Sequence, residues 1–402
     1  MLRFDAEGRL TSGLVAAWSQ PDELTVILEL RAGVLFHDGS PMTAADVTYS
    51  IDRFRSVDQG SLHSSLYKSI EAVTIVDDLT VQIDLSAQDV GLLNVFASPY
   101  QMAIFPEGAT DLETAPVGTG PFSFVEYVSG SHATLVKFDD YWNPEQPLLD
   151  GIEFRMLPDE ETRVAAIRTG EIDMTWVATP AVAASAAEGG DVVVIAEGYN
   201  KPVQLYLNNG HEALSDVRVR RAISLALDRQ EYIDLVAMGD GDFTTAIPST
   251  DTFWAHPDRR SLPYHQQDIE QAKALLAEAG YADGLTLRLQ SSDLITHVTD
   301  AEILRDQLSK VGITAEISVY DSGQAFANLT ERDYDLAIAG GRANADPDTY
   351  FYSDFHSSNV DTSRTAYPGE PELDALLDQW RTESDPAVRQ GIYVEVQEFI
   401  AD

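Results

Sequence analysis

The stretch "LTLRLQSSDLITHVTDAEILRDQLSKVGITAEISVYDSGQAFANLTERDYDLAIAG", Leu285 to Gly340, decides the fold of the second half of the chain. Within it, "LTLRLQ" is typical of a strand, "DAEILRDQLSKVG" of a helix, and "ITAEISVY" and "YDLAIAG" of two further strands. Strands that alternate with helical segments favour a mainly parallel sheet covered by helices. The sequence therefore predicts an α/β fold for this half.

Helical patterns flank this stretch on both sides. "LSDVRVRRAISLALDRQEYIDLV" has one apolar face after Asp216, which we expect to cap the helix. "DIEQAKALLAEAG" begins at Asp268, has Gln271 three residues later, and reaches Gly280 where a helix would stop. The chain ends in "AVRQGIYVEVQEFIAD", which predicts an amphipathic helix.

The first part of the chain has a different pattern. "ELTVILEL" and "LTVQIDL" alternate apolar and polar residues, as half-buried strands do. Thr43, with Asp46 three residues later, predicts a capping box at the start of a helix. These segments indicate α+β structure, which Gly118, Gly120 and Pro121 interrupt. We place a domain or subdomain boundary there.

The segment between the two halves predicts short elements. "PDEETR" is typical of an acidic helix start, which the helix dipole favours. "RVAAIRTGEIDMTW" predicts a short helix, a stop at Gly170 and a buried strand ending at Trp176. "DVVVIAEGYNKPVQLYLNN" predicts a turn and then a strand ending in Asn208 and Asn209.

Composition excludes several classes of function. The 402 residues include 66 acidic and 26 basic side chains, a net charge of −40, which argues against binding nucleic acid or an anionic membrane through a broad basic surface. An acidic surface suited to high salt explains this balance, and a cation-binding surface is the alternative. The chain has no Cys, which excludes disulfides and Cys-ligated metals. No transmembrane run and no signal-peptide core appear in it.

Catalytic and metal motifs are also missing from the sequence. His37 and Asp38 precede a glycine in a turn and have no nucleophile placed by a strand-to-helix motif, so we interpret them as structural. The eight His residues have no metal-binding spacing, and "GTGPF" lacks the Lys of a phosphate loop. "NADPDTYFYSDF" lacks the spacing of a calcium loop and is interpreted as a loop near a binding cleft. We therefore predict no catalytic residues, no metal and no cofactor.

An ordered set of motifs carries a family resemblance. "LTSGLVAAWSQPDELTVILELRAGVLFHDGSPMTAADVTYSIDR" comes first, and "VGTGPF", "DDYW", "RTGEIDMTW", "NNGHEALSDVRVRRAISLALDR", "DIEQAKALLAEAG" and "PELDALL" follow in order. Together they resemble the extracytoplasmic solute-binding proteins of ABC transporters, in the family of oligopeptide-, dipeptide- and nickel-binding proteins. The resemblance extends from Leu10 to the end of the chain.

The resemblance implies a two-lobed periplasmic-binding-protein (Venus-flytrap) fold of the α/β class with an extra α+β subdomain. Residues 1–112 are expected to form the extra subdomain of the first lobe, 113–200 the first ligand-binding lobe, and 201–402 the second. The chain resembles a member truncated at both ends, because members normally carry a signal sequence, an earlier strand and a later return to the first lobe.

The resemblance also implies a ligand site. Trp176 matches a position near the ligand, where its ring could stack, although a core Trp at a strand end is nearly as consistent with the pattern. Tyr199 and Lys201 match positions that face the cleft, although an ordinary surface lysine explains Lys201 equally well. The strand that follows them places Tyr206 and Asn208 in the same set.

The loop "GGRANADPD" matches the segment in which peptide-binding members place an aromatic residue and an Asp that pairs with the peptide amino terminus. Here Gly341 replaces the aromatic residue, and Ala343 or Asn344 falls where the Asp is expected. Asp346 could substitute for it if the loop is one residue shorter, and Arg342 adds a positive charge. These departures leave an acidic solute or an oligosaccharide as alternatives to a peptide.

The function that follows is capture of a short peptide or another polar organic solute and its delivery to ABC permease subunits. The chain is expected to be extracytoplasmic, either periplasmic or lipid-anchored, and monomeric. A ligand-sensing module of the same fold, which feeds a receptor or regulator, is the alternative. The sequence alone does not identify the ligand or the permease.

Overall fold

The computed structural model describes residues 1–5, 9–56, 61, 63–195, 203–239, 241, 256–340 and 347–402. They form two compact units, Met1–Pro158 and Asp159–Asp402. The division into 1–112, 113–200 and 201–402 stays a prediction.

The first unit consists mainly of antiparallel strands. Its described strands are β1 (Arg3–Phe4), β2 (Leu10–Thr11), β3 (Val15–Asp22), β4 (Thr25–Leu30), β5 (Ile70–Asp77), β6 (Thr80–Leu85), β7 (Phe122–Val128), β8 (His132–Lys137) and β9 (Gly151–Arg155). Its described helices are α1 (Ala44–Arg55), α2 (Leu92–Ala97) and a 3-10 turn at Ser64–Tyr67. Strand β1 pairs with β2, and the larger sheets have the orders β3-β4-β6-β5 and β7-β8-β9.

The predicted alternation accounts for the core of this unit. Val26 and Leu28 of β4 and Val81 and Ile83 of β6 are fully buried, while the residues between them are partly exposed. Helix α1 begins with the predicted capping box at Thr43 and packs its apolar face onto this sheet. The α+β prediction for this segment is therefore confirmed.

The His37–Asp38 pair forms the predicted turn. Asp38 Oδ1 accepts a hydrogen bond of 2.9 Å from the backbone N–H of Ser40, and the next residue, Gly39, has a φ of 84° that a side chain would strain. His37 Nδ1 accepts from Gly118 N at 3.3 Å, so Nε2 carries the proton and donates to Gly120 O at 3.0 Å. The imidazole thus ties the turn to the "GTG" segment.

The second unit contains most of the helices. Its described helices are α3 (Glu160–Arg168), α4 (Pro180–Glu188), α5 (Glu212–Ser215), α6 (Val217–Ala226), α7 (Arg229–Val236), α8 (Ile269–Glu278), α9 (Ile295–Ser309), α10 (Ser322–Glu331), α11 (Asp348–Phe355), α12 (Pro371–Thr382) and α13 (Pro386–Ala401), with 3-10 turns at Arg259–Ser261 and Ser357–Asn359. Its described strands are β10 (Val203–Leu207), β11 (Leu285–Ser292), β12 (Ile313–Tyr320) and β13 (Leu336–Gly340).

These four strands form one mixed sheet in the order β10-β13-β11-β12. Strand β11 is parallel to β12 from Leu285 opposite Ile313, and it is also parallel to β13. Strand β10 is antiparallel to β13, with Val203 opposite Gly340. The mainly parallel sheet that the sequence predicts is confirmed, with β10 as an antiparallel edge strand.

Helix caps in this unit follow the predicted signals. The Asp216 side chain accepts from Arg218 N at the start of α6, and the Asp268 side chain accepts from Gln271 N at the start of α8. Apolar faces of α6, α8 and α9 pack with β11, β12 and β13 into the main core of the unit. A second cluster joins α11, α12 and α13.

Two local predictions are wrong, and one helix was not predicted. Residues 171–176 form no strand, because their side chains are mostly exposed and have no partner strand in the described residues. The sequence predicts two successive strands without a helix between them, but helix α10 lies between β12 and β13, and Asp321 caps it by accepting from Gly323 N and Gln324 N. The part of "NADPDTYFYSDF" that is described forms helix α11 rather than a loop.

Candidate functional site

The carboxyl edge of the sheet in the second unit is the candidate site. The parallel strands β11, β12 and β13 end there at Ser292, Tyr320 and Gly340. Because β10 is antiparallel to β13, its first residue, Val203, lies at the same edge opposite Gly340. In open α/β sheets, ligands bind outside the carboxyl ends of the strands.

A chain of hydrogen bonds lies beside this edge. Tyr206 donates its hydroxyl hydrogen to Gln204 Oε1 at 2.9 Å, and Gln204 Nε2 donates to the Tyr350 hydroxyl at 3.2 Å. The phenol rings of Tyr206 and Tyr350 are buried, whereas Gln204 is only partly buried. A Gln amide has two hydrogens, so Gln204 keeps one that it could donate to a ligand.

A second polar group lies at the end of β11. Ser292 is buried, and its Oγ lies 2.7 Å from Nδ1 of His297 in the first turns of α9. Gln290, two residues earlier in the strand, donates to Ala325 O and accepts from Asn328 Nδ2, both at 2.9 Å. These bonds fix the last residues of β11 against α9 and α10.

One buried carboxyl group lies a helical turn beyond His297. Asp300 is fully buried, and Tyr232 of α7 donates a hydrogen bond of 2.6 Å to its Oδ1. Burial raises the pKa of Asp300 to about 6, and the bond from Tyr232 partly opposes that rise. Burial and the neighbouring carboxylate also raise the pKa of Tyr232.

Trp176 and Tyr206, two of the predicted site residues, lie in different environments. Trp176 has no regular secondary structure, its side chain is 61% exposed, and its carbonyl oxygen accepts from Arg163 Nε at 3.2 Å. Tyr206 is buried, and its ring packs in a small cluster with Leu329 and Tyr334. The side chain of Trp176 is therefore largely accessible, whereas the ring of Tyr206 is not, and the Tyr206 hydroxyl group bonds to Gln204.

Asn208 lies at the opposite edge of the sheet. It follows Leu207, which pairs with Leu336 at the amino end of β13. Its Nδ2 group donates to Arg332 O at 3.1 Å and to Tyr334 O at 2.9 Å, so both amide hydrogens serve the turn between α10 and β13. The structure therefore does not bring Asn208 to the carboxyl edge.

The other predicted site residues lie outside the described residues. They are Tyr199, Lys201, Gly341, Arg342, Asn344 and Asp346. The described residues that flank them include Val203 and Gly340, which are paired at the carboxyl edge.

Sequence reasoning missed Gln204, Tyr350, Ser292 and His297 as candidate site residues. The sequence contained one signal for Ser292, because β11 ends in "QSS". Polar side chains that are buried in a strand need hydrogen-bond partners. Within the described residues, no group of three or more His, Cys, Asp or Glu side chains is arranged to hold a metal ion. None of the described helices is both long enough and apolar enough to span a membrane.

Comparisons with known proteins identify the family. A sequence profile described as bacterial extracellular solute-binding proteins, family 5 Middle, matches residues 9–362. The glutathione-binding protein GsiB of Salmonella choleraesuis (strain SC-B67) is 29% identical over 394 residues, which cover 94% of this chain and 76% of the relative. GsiB of Escherichia coli O1:K1 / APEC is 27% identical over 412 residues, 98% of this chain and 79% of the relative.

Solved structures agree with this result. The binding protein AgaA from A. tumefacien R10, in complex with agropinic acid, superposes with a TM-score of 0.87 at 27% identity and covers 98% of this chain and 82% of its own. The oligopeptide-binding protein AppA from Bacillus subtilis superposes with a TM-score of 0.88 at 24% identity and covers 100% of this chain and 84% of its own. The predicted family and the two-lobed α/β fold class are confirmed. This chain belongs to the bacterial extracellular solute-binding proteins of family 5, the substrate-binding components of ABC importers.

Proposed function

We propose that this chain binds a short peptide or another polar organic solute at the carboxyl edge of its second-unit sheet and delivers it to the permease subunits of an ABC importer. The observation that carries the proposal is the pairing of Val203 with Gly340. Tyr199 and Lys201 precede Val203 in the chain, and Arg342 and Asp346 follow Gly340. The two segments that the sequence predicts as ligand contacts are therefore joined to neighbouring strand ends.

Each proposed contact has a chemical role. The exposed indole of Trp176 offers a face on which an apolar part of the ligand can stack. Lys201 and Arg342 supply positive charge for a carboxylate, and Arg342 can bind one through two parallel hydrogen bonds. Asp346 supplies the carboxylate that an amino terminus needs, because an ammonium group buried without a partner costs several kcal/mol.

Polar residues of the edge would complete the site. Gln204 donates its remaining amide hydrogen to a ligand carbonyl or hydroxyl oxygen, and the bonds to Tyr206 and Tyr350 hold the amide in position. Tyr199 adds a second aromatic group. Gly341 and Asn344 would contribute a residue without a side chain and a neutral amide to the same set of contacts.

The relatives support a ligand with a carboxylate group. GsiB is named for glutathione, and AgaA was solved with agropinic acid. Both molecules carry a carboxylate and several neutral polar groups. Peptides share this chemistry, and an oligosaccharide lacks the carboxylate that Lys201 and Arg342 would pair with.

The proposed mechanism is binding without chemical change. A ligand shifts the protein toward the form to which it binds more tightly, by the difference in its affinity for the two forms, and the permease recognises the ligand-bound form. We propose that the protein acts as a monomer outside the cytoplasmic membrane, either free in the periplasm or anchored to the membrane by lipid.

A thermal-unfolding screen tests the proposal. Glutathione, agropinic acid, di- to hexapeptides, amino-acid derivatives, oligosaccharides and divalent metals are added singly to the purified full chain at low and high salt. A ligand that binds only the folded protein stabilises it by about 2.7 kcal/mol at a hundredfold excess over its Kd, so the midpoint rises by several degrees. A rise with peptides or organic acids, reproduced by titration calorimetry, supports the proposal. A response confined to oligosaccharides contradicts the proposed carboxylate contacts of Lys201 and Arg342, and a response confined to metals contradicts the proposal as a whole.

A further inference from the structure

Two arginine side chains of the first unit lie against the same aromatic ring. Arg3 belongs to β1, and Arg31 directly follows β4. The guanidinium carbon of Arg31 lies 4.3 Å from the ring centroid of Trp142, and that of Arg3 lies 5.3 Å from it. Cations at such distances are attracted to the electron-rich face of an indole. The ring of Trp142 is therefore in contact with both guanidinium groups.

Consecutive backbone carbonyls fix the two guanidinium groups. Arg3 Nε donates to Ser12 O at 3.2 Å, and Arg31 Nε donates to Gly13 O at 3.0 Å. A Cβ atom at position 13 would lie 2.5 Å from Met1 O and 3.4 Å from Arg3 Cγ, so only glycine permits this close approach. Each guanidinium is thus anchored through Nε.

The Nη atoms of both arginines have no partner in the described part of the chain. Neither side chain forms an ion pair there, although acidic residues outnumber basic ones by 66 to 26. Arg288 shows the usual arrangement in this protein, since it contacts Asp333 at 2.9 Å and Asp335 at 3.1 Å. The Nη groups of an arginine that is not paired with a carboxylate can still bind an oxyanion through two parallel hydrogen bonds.

Tyr141 lies next to Trp142 and has a hydroxyl group that can donate. Its ring lies 5.2 Å from that of Trp142, and it is partly buried. Burial raises the pKa of Tyr141, while the positive charges of Arg3 and Arg31 act to lower it, so both charges are close enough to act on the phenol. Asp139 and Asp140 precede Tyr141 in the chain, but neither forms an ion pair with either arginine among the described residues.

We propose that Arg3, Arg31 and Tyr141 form a binding site for a small oxyanion, a carboxylate or a phosphate, beside the ring of Trp142. The site has two guanidinium groups, which their Nε bonds and the ring of Trp142 hold in position, and one hydroxyl group, and all three can donate hydrogen bonds. A planar carboxylate or a tetrahedral phosphate accepts from donors in this arrangement. The site belongs to the first unit alone and does not depend on the proposed solute site.

Titration of the full chain with sodium phosphate and, separately, sodium citrate tests this proposal. Ionic strength is kept constant with sodium chloride, whose anion lacks oxygen acceptors. Two-dimensional spectra of the arginine Nε–H and tryptophan indole N–H groups are recorded during the titration, and the Trp142 signal is assigned with Trp142→Phe. We expect the Arg3, Arg31 and Trp142 signals to move together and to saturate. Saturation with phosphate alone identifies a phosphate site, and saturation with citrate alone identifies a carboxylate site.

Variants separate this site from a general salt effect. Arg31→Lys keeps the positive charge but removes the paired N–H donors of the guanidinium, and Arg3→Gln removes a whole guanidinium group. We therefore expect each variant to weaken binding at least tenfold. Arg305→Gln is the matched control, because it removes the same charge from an exposed arginine of the second unit that pairs with Glu302. Equal responses in the wild type and all three variants, or signals that move linearly without saturation, would overturn the proposal. A variant that fails to fold is replaced by Tyr141→Phe, for which we expect about threefold weaker binding.

Discussion

The hydroxyl group of Tyr232 in α7 donates a hydrogen bond of 2.6 Å to Asp300 Oδ1 in α9, and it joins the two helices through a carboxyl group that is fully buried. The second oxygen, Oδ2, has no hydrogen-bond partner among the described residues. A buried carboxylate with one partner favours its protonated form, because the neutral group loses less hydration. The contact between α7 and α9 is therefore sensitive to pH.

Asp300→Asn should remove this sensitivity. The pKa of Asp300 is about 6 in the folded protein and 3.8 in its ordinary state, so between these values the folded chain holds a proton that the unfolded chain has lost. That proton stabilises the folded state, and its contribution is lost as the pH rises through 6. Between pH 4 and pH 7, we expect the free energy of unfolding of the wild type to fall by about 2 kcal/mol relative to that of Asp300→Asn.

Urea unfolding at several pH values measures this difference, and comparison with wild type cancels the other carboxyl groups that the two proteins share. Asp306→Asn is the control, since that side chain lies on the same helix but is 71% exposed. We expect a smaller change with pH for it. A difference between Asp300→Asn and wild type that stays constant from pH 4 to pH 7 would contradict the prediction.

His37→Ala should destabilise the first unit. The imidazole accepts from Gly118 N and donates to Gly120 O, and its edge packs on Phe138 at 5.1 Å between ring centroids. Loss of the ring leaves a backbone donor and acceptor with weaker partners, which costs about 1–3 kcal/mol. Denaturant unfolding measures the loss. Asp38→Asn is the control, because an amide oxygen can still accept from Ser40 N. Equal stability of the two variants would show that the ring is not structural.

Local signals explain why much of the fold could be predicted from the sequence. Strands β4 and β6 alternate clearly because one face is buried, and the caps at Thr43, Asp216 and Asp268 use side chains within three residues of their partners. Helix α10 was missed because its buried face is short and Gly323 lies in its first turn. Its signal was the cap at Asp321, which a turn would also explain.

The candidate site was harder to predict because its contacts are distant in the sequence. Gln204 and Tyr350 are hydrogen-bonded across 146 residues, and Gln290 meets Asn328 across 38. No local pattern encodes such a pair, and a Gln at the start of a strand is usually a solvated side chain. The pairing of Val203 with Gly340 also follows only from the sheet order. The sequence indicated the segments before Val203 and after Gly340 but not that these two residues are paired.

Asn208→Asp should destabilise the second unit. Asn208 donates both amide hydrogens to the carbonyl oxygens of Arg332 and Tyr334, and a carboxylate would instead place a negative charge beside these two oxygens. We expect a loss of about 2 kcal/mol or more in the free energy of unfolding. Asn143→Asp is the matched control, because Asn143 uses its side-chain oxygen to accept from Glu145 N and a carboxylate can do the same. Equal stability of the two variants would contradict a structural role for Asn208.

Trp176→Ala should weaken solute binding without affecting stability. The indole is 61% exposed, so its removal leaves no cavity, and the midpoint of unfolding without ligand should stay within about one degree of wild type. If the ring stacks on the ligand, its loss costs about 1–2 kcal/mol of binding free energy, which raises the Kd roughly tenfold. Titration calorimetry with the best ligand from the screen measures this change.

Met174→Ala is the control for this measurement, because Met174 lies two residues away and its side chain is 87% exposed. A ligand that stacks on Trp176 distinguishes the two variants, since a thioether chain offers no aromatic face. Equal Kd values for Trp176→Ala and Met174→Ala would remove Trp176 from the site. The ligand would then depend on the strand ends at Val203 and Gly340 and on the charged residues joined to them.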